Sequence, residues 1–301
     1  MKVLITGSNG LLGQKLINEL KIDSNIKIIA TSKGKNRIVN KLGYNYESLD
    51  VTILSDVKNI FKKYTPNVVI NTAAMTNVDR CEDDKKACDK LNVEAVSFLA
   101  DTCLDYDAHL IHISTDFIFD GKNGPYSEDD VPNPLSYYGL SKLKSENLLY
   151  NHNVKWSILR TIIIFGVAEK LNKSNIVLWA KESLQKEKSI NVVDDQFRAP
   201  TLAEDLASAC VEVAKNQVYG IYNTSGKDIM SIYEIVERVA KYFGYSTKNL
   251  NKISTSELNQ KAIRPKRTGF VLDKAKNTFD YRPRSFEHAL NLIEKQLEYS
   301  K

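Results

Sequence analysis

The sequence predicts an α/β fold: a doubly wound parallel sheet with a smaller, interleaved C-terminal domain. Three observations carry this. The β-branched run Val3-Leu4-Ile5-Thr6 suits a buried parallel strand and leads straight into a glycine-rich turn and an amphipathic helix, 14–20. Comparable apolar runs recur at 27–30, 68–71 and 109–114, separated by helical patterns, and such repeated units build a parallel sheet with right-handed crossovers. Beyond Phe165 the pattern shifts to longer, more polar helices.

Composition narrows the class. The chain has 301 residues, 43% hydrophobic and 26% charged, enough for a sizeable core. Its net charge of +5 is scattered rather than gathered into a basic stripe, so no nucleic-acid partner is expected. No segment approaches the roughly 20 apolar residues of a membrane span, and the N-terminus lacks the pattern of a cleaved leader, so a cytoplasmic protein without a membrane partner is expected. Cys81, Cys88, Cys103 and Cys210 show neither a Cys-x-x-Cys pair nor a histidine cluster nearby, which reads as buried reduced thiols and no metal site.

In chain order, the first strand opens into Gly7-Ser8-Asn9-Gly10-Leu11-Leu12-Gly13. Strand, glycine turn and helix form the context of a dinucleotide-binding Rossmann unit, in which glycines let the backbone approach a pyrophosphate and the helix N-terminus offers free amides. No Gly-Lys-Ser/Thr follows, which excludes a phosphate loop of the ATPase kind. The second strand ends in Thr31-Ser32-Lys33-Gly34-Lys35-Asn36-Arg37, with no acid for a ribose 2′-hydroxyl. Ser32, Lys33, Lys35 and Arg37 suit a 2′-phosphate, so NADP(H) is favoured over NAD(H). Asp50 and Val51 fall where the adenine would lie, and Ala73 and Ala74 are small enough to let a cofactor approach the next strand end. A long helix is expected from about 85 to 106. His112, inside an apolar strand, reads as a core residue, and no Gly-x-Ser-x-Gly elbow supports a serine hydrolase.

The strand at 109–114 runs into Thr115-Asp116, at the carboxyl edge where ligands bind in such sheets. Prolines 132 and 134 delay the next helix to Ser136. Tyr138 and Lys142, four residues apart, then share one helix face, and Thr115 and Tyr138 can converge on one reacting oxygen. A lysine ammonium beside a phenol lowers the phenol pKa and makes it a usable proton donor. Tyr137 lies on a different face.

The stretches VLITGSNGLLG, NTAAMTNVDRCE, LNVEAV, ISTDFIFDG, PYSEDD, NPLSYYGLSK, LRT and DDQFRAPT span nearly the whole chain in order. Together they make it resemble an extended short-chain dehydrogenase/reductase of the dTDP-4-dehydrorhamnose reductase (RmlD-like) family. The resemblance implies an NAD(P)H-dependent reductase of a nucleotide-linked 4-keto-6-deoxy sugar, with Tyr138 as proton donor, Lys142 holding the nicotinamide ribose and Thr115 bonding the reacting oxygen. It implies substrate contacts from Thr76, Asp116, Phe117, Arg198 and Arg264. The implied division is a cofactor-binding domain at 1–168, rejoined by 202–226, and an interleaved substrate-binding domain at 169–301. A homodimer is compatible with it.

The chain departs from the family pattern at three places. Phe117 stands where a tyrosine is frequent, Ile162-Ile163-Ile164 follows Arg160-Thr161 where a tryptophan is frequent, and Arg198 replaces a frequent glycine. Phe117 cannot act as an acid, which argues against a dehydratase. A sugar-nucleotide 4-epimerase and a non-catalytic cofactor-binding regulatory subunit are the competing readings.

Overall fold

The apolar runs form a single parallel sheet, described in a computed structural model for residues 1–171 and 174–299. Its strands are β1 (Lys2–Thr6), β2 (Lys27–Ser32), β3 (Asn45–Ser48), β4 (Val68–Asn71), β5 (His109–Thr115) and β6 (Lys155–Thr161). Short strands β7 (Ile164–Phe165), β8 (Ile190–Val193), β9 (Phe197–Arg198) and β10 (Thr201–Leu202) follow before β11 (Gly220–Asn223) returns to the sheet beside β6. The order across the seven strands is β11-β6-β5-β4-β1-β2-β3. Order reverses between β1 and β4, so a crevice opens there beyond the strands' carboxyl ends. The later strands β12 (Met230–Ser231) and β13 (Leu250–Ile253) pair with β9 and β8 away from this sheet.

Central strands such as β1 and β4 are buried on both faces, as continuous runs like Val3-Leu4-Ile5 and Val68-Val69-Ile70 require. One face packs on α1 (Leu11–Leu20), through Leu12, Leu16, Ile17 and Leu20. The opposite face carries α2 (Leu54–Tyr64), where Val57 and Phe61 meet the sheet. The helix expected from about 85 to 106 is helical throughout 85–105, with a π-helical turn inside it. After α3 (Val78–Asp83), α4 (Lys85–Asp89) and α5 (Ala95–Asp105) are joined by a π-helical turn, Lys90–Glu94. The extra residue of that turn turns Asn92 inward, where Oδ1 accepts from Met75 N at 2.8 Å and Nδ2 donates to Met75 O at 3.1 Å.

Helix α6 (Tyr137–Tyr150) starts at Ser136, whose Oγ accepts from Gly139 N at 3.2 Å. A third apolar cluster gathers α7 (Ile176–Gln185), α9 (Ile232–Phe243) and α11 (Phe286–Tyr299) around Val177, Ala180, Val236, Val239 and Ile293. Between them in sequence, α8 (Ala203–Lys215) packs on α1 and the sheet, and α10 (Asp273–Phe279) lies against β11. The chain therefore leaves the sheet after β6, returns through α8 and β11, and leaves again. No helix among the described residues is long and apolar enough to cross a membrane.

Candidate active site

A cleft of about 520 Å³ lies over the carboxyl ends of β1, β4 and β5. Its floor is the glycine turn. Gly7 has φ +67°, and a Cβ there would sit 2.8 Å from Thr72 Oγ1 and 2.9 Å from Ala73 N. Gly13 lets α1 press on the turn, since its Cβ would fall 2.5 Å from Ser8 Cα. Gly10 precedes α1 without a side-chain cap, so the first-turn amides face outward unclaimed, and Gly10, Leu11 and Leu12 line the cleft. Ser8 Oγ and Ser114 Oγ are buried without hydrogen-bond partners, and Ser114 lines the cleft. Free amides, an orphaned hydroxyl and a floor that admits no Cβ fit a dinucleotide.

The basic loop after β2 is fastened to this floor. Asn9 Nδ2 donates to Lys35 O at 2.9 Å and Asn9 Oδ1 accepts from Arg37 N at 2.9 Å. Lys33 is exposed and donates to Asp50 Oδ2 at 2.7 Å. Ser32, at the end of β2, is half-buried, and Val51 is buried in the core beside α2. Ala73, Ala74 and Thr76 line the opposite wall.

Thr115, Tyr138 and Lys142 meet in the same cleft, from β5 and α6. Gly139 makes this approach possible, because a Cβ there would fall 2.1 Å from Phe117 O. Tyr138 packs edge-on against Phe117, with ring centroids 5.7 Å apart. Tyr137 points away, and its hydroxyl donates to Asp89 Oδ2 at 2.7 Å.

The electrostatics correct one expectation. Lys142 does not bring the phenol down: its Nζ lies 2.8 Å from His112 Nε2. Burial pushes the Tyr138 phenol above the usual tyrosine range, with only the Thr115 hydroxyl pulling it down. Lys142 itself is lowered by burial to about 8.

Asp116 lines the cleft and Arg198 the cavity beside it, but their polar groups are engaged within the protein. Both are buried, at 1% exposure each. Asp116 accepts from Thr115 Oγ1 at 3.1 Å and from Thr268 Oγ1 at 2.5 Å, and burial raises its pKa against these bonds and the Arg198 charge. Arg198 donates to Pro265 O at 2.6 Å and to Phe197 O at 2.7 Å, while its guanidinium sits 5.7 Å from the Phe117 ring centroid. Its donors therefore brace the 265–266 backbone and Asp116 rather than standing free for a ligand. An arginine in a basic sequence reads as solvated by default, and only the fold shows this one enclosed.

A second cavity of about 380 Å³ adjoins the first and shares Phe117 and Ile163 with it. Trp179, Asn191, Gln196, Arg198 and Arg264 line it. Arg264 is held by Asp79, Nη2 to Oδ2 at 2.7 Å, with its side chain 16% exposed. Sequence reasoning passed over Asn71 and Thr161 as cleft residues. Asn71 was findable: it ends its strand on a polar side chain, directly opposite His112 in the parallel register.

The comparisons agree with this geometry. A dTDP-4-dehydrorhamnose reductase of Aggregatibacter actinomycetemcomitans is 31% identical over 304 residues, covering 97% of this chain and 98% of the relative. The methionine adenosyltransferase 2 subunit beta of Xenopus tropicalis is 32% identical over 84% of this chain and 75% of its own. The solved dTDP-4-dehydrorhamnose reductase of Bacillus anthracis, in complex with NADP, superposes with a TM-score of 0.83 at 27% identity, covering 98% of this chain and 99% of that one. The family model for the RmlD substrate binding domain matches residues 1–298, and the chain belongs to that family.

Proposed function

We propose that the protein is an NAD(P)H-dependent reductase of a nucleotide-linked 4-keto-6-deoxy sugar, with NADP(H) the favoured cofactor. The observation that carries this is the meeting of Thr115, Tyr138 and Lys142 in a cleft floored by the glycine turn. Gly7, Gly10, Leu11, Leu12 and Gly13 form the seat for a pyrophosphate, and Ser32, Lys33 and Arg37 receive a 2′-phosphate on a loop that Asn9 holds in place. Asp50 and Val51 flank the adenine side, and Ala73 and Ala74 let the cofactor lie close to the end of β4. When bound, the cofactor supplies the hydride.

The protein's own residues manage the proton. Tyr138 carries the proton given to the substrate carbonyl oxygen, and burial keeps that proton on the phenol until the acceptor arrives. Thr115 accepts a bond from Phe117 N at 3.2 Å and donates to Asp116, which fixes its oxygen beside the phenol. Lys142, beside Tyr138 in the cleft, holds the ribose. The second cavity takes the nucleotide, with Arg264 toward the pyrophosphate and Thr76 and Phe117 toward the sugar. Arg198 and Asp116 act on the substrate through the walls they brace.

The test is cofactor consumption. NADPH with a dTDP-linked 4-keto-6-deoxy sugar should give loss of reduced-cofactor absorbance equal to the sugar reduced. Turnover without net oxidation would make the protein an epimerase. Likeness to a methionine adenosyltransferase beta subunit favours a second, regulatory reading, which cofactor binding without any sugar turnover would support. In the same assay, Arg264→Glu is expected to raise the sugar KM by about tenfold with kcat little changed, from lost pairing with a diphosphate. An unchanged KM would return Arg264 to a purely structural bond with Asp79.

A further inference from the structure

His112 lies inside β5 at 1% exposure, in one row of the sheet with Thr6 and Asn71. Three polar groups meet its ring. Asn71 Nδ2 lies 3.1 Å from Nδ1, while Lys142 Nζ at 2.8 Å and Ser145 Oγ at 3.1 Å face Nε2. Glu146, the nearest acid along α6, is bound to Arg160 instead.

The ring's tautomer follows from its neighbours. The main-chain N–H of Ala73 donates to Asn71 Oδ1 at 3.3 Å, and the Thr6 hydroxyl donates to the same oxygen at 2.6 Å. With its oxygen so held, Asn71 turns its NH₂ to His112 and donates to Nδ1, which leaves the ring proton on Nε2. Ser145 Oγ donates to Lys142 O at 2.7 Å, so toward the ring it can only accept. Nε2–H therefore points between the serine oxygen and the lysine amine.

We propose that His112 is a positioning residue: Asn71 locks it as the Nε2–H tautomer, and that N–H holds the Lys142 amine in the cleft and favours its neutral form. A hydrogen bond donated to an amine stabilises the uncharged state. Burial acts in the same direction on Lys142, and burial together with the Lys142 charge keeps His112 itself neutral. The other titratable groups beside this pair are Glu146 on α6 and Cys88 on α4, which favour the charged amine, and Tyr138, which shares the cleft with Lys142. The functional part of the inference rests on Lys142 serving the cofactor, as proposed above.

The tautomer can be read without any substrate. In protein labelled with ¹⁵N-histidine, two-bond ¹H–¹⁵N correlations of His112, assigned by their loss in His112→Gln, should show a neutral ring protonated on Nε2. They should shift in Lys142→Met. An Nδ1–H ring, or an imidazolium at neutral pH, overturns the proposal whatever the enzyme turns over. In turnover, the alkaline limb of kcat/KM reports Lys142. His112→Leu removes the donor to the neutral amine, so the limb should move to higher pH by about half a unit or more. The KM for NADPH should rise several-fold more than kcat falls. His112→Gln keeps an amide donor and should restore the wild-type limb. A merely structural histidine would lower the melting temperature and leave the limb unmoved in both variants, which would sink the idea. Should the leucine variant fail to fold, the wild-type spectrum and the glutamine variant decide.

Discussion

Tyr138→Phe is expected to fold as the wild type does and to lose turnover by on the order of 10²-fold or more, the usual effect of removing a positioned general acid. The fold should survive because the ring, not the hydroxyl, makes the packing contact: the edge-on arrangement with Phe117 needs no oxygen. The Thr115 hydroxyl keeps Asp116 and Phe117 N as partners. The loss should appear in kcat, with the KM for both ligands nearly unchanged, because the missing interaction is made only as the proton moves. Steady-state NADPH oxidation beside a circular-dichroism melt measures both halves. Wild-type turnover in a folded Tyr138→Phe protein would remove Tyr138 from the chemistry.

Glu146→Ala is expected to cost about 3–5 kcal/mol of stability, because it leaves the Arg160 guanidinium buried without its counter-charge. The pair is 3% exposed at each end, and Arg160 grips the carboxylate through Nη2 at 2.7 Å and Nε at 3.2 Å. A third donor, Nη1, reaches Glu128 O at 3.1 Å. Native domains are stable by only about 5–15 kcal/mol, so this single change removes a large fraction. The bond joins the middle of α6 to β6, which makes it a tether for the helix that carries Tyr138 and Lys142. Denaturant unfolding should show a lower midpoint at an unchanged slope, and Glu146→Gln, which keeps a hydrogen-bonding oxygen, should fall less. A loss below about 1 kcal/mol would mean that water or a relaxed backbone replaces the carboxylate.

Much of this was legible in the chain because the signals were local. A β-branched run entering Gly7-Ser8-Asn9-Gly10 specifies strand, turn and helix within a dozen residues, and the four-residue step from Tyr138 to Lys142 specifies a shared face. What stayed hidden depends on distant pairing. The π turn at Lys90–Glu94 inserts one residue into the helix, too little to disturb an apolar pattern, and the Met75 backbone that Asn92 bonds lies well upstream. Arg198 is enclosed by carbonyls at 265 and 266, which nothing near it in sequence announces. His112 was read as a core residue, and it is one. The lysine that it meets lies thirty residues away. The expected depression of the phenol pKa failed because burial, which the four-residue spacing does not reveal, pushes the phenol up.

The shared wall between the two cavities has its own consequence. Phe117 and Ile163 border both, so a ligand that settles these side chains from one side alters the surface offered to the other. A ligand that did so would link the occupancy of the two chambers, and such linkage is reciprocal: whatever the first guest did for the affinity of the second, the second would do for the first. A ligand seated in the 520 Å³ chamber would then set the shape of the partition that the 380 Å³ chamber presents.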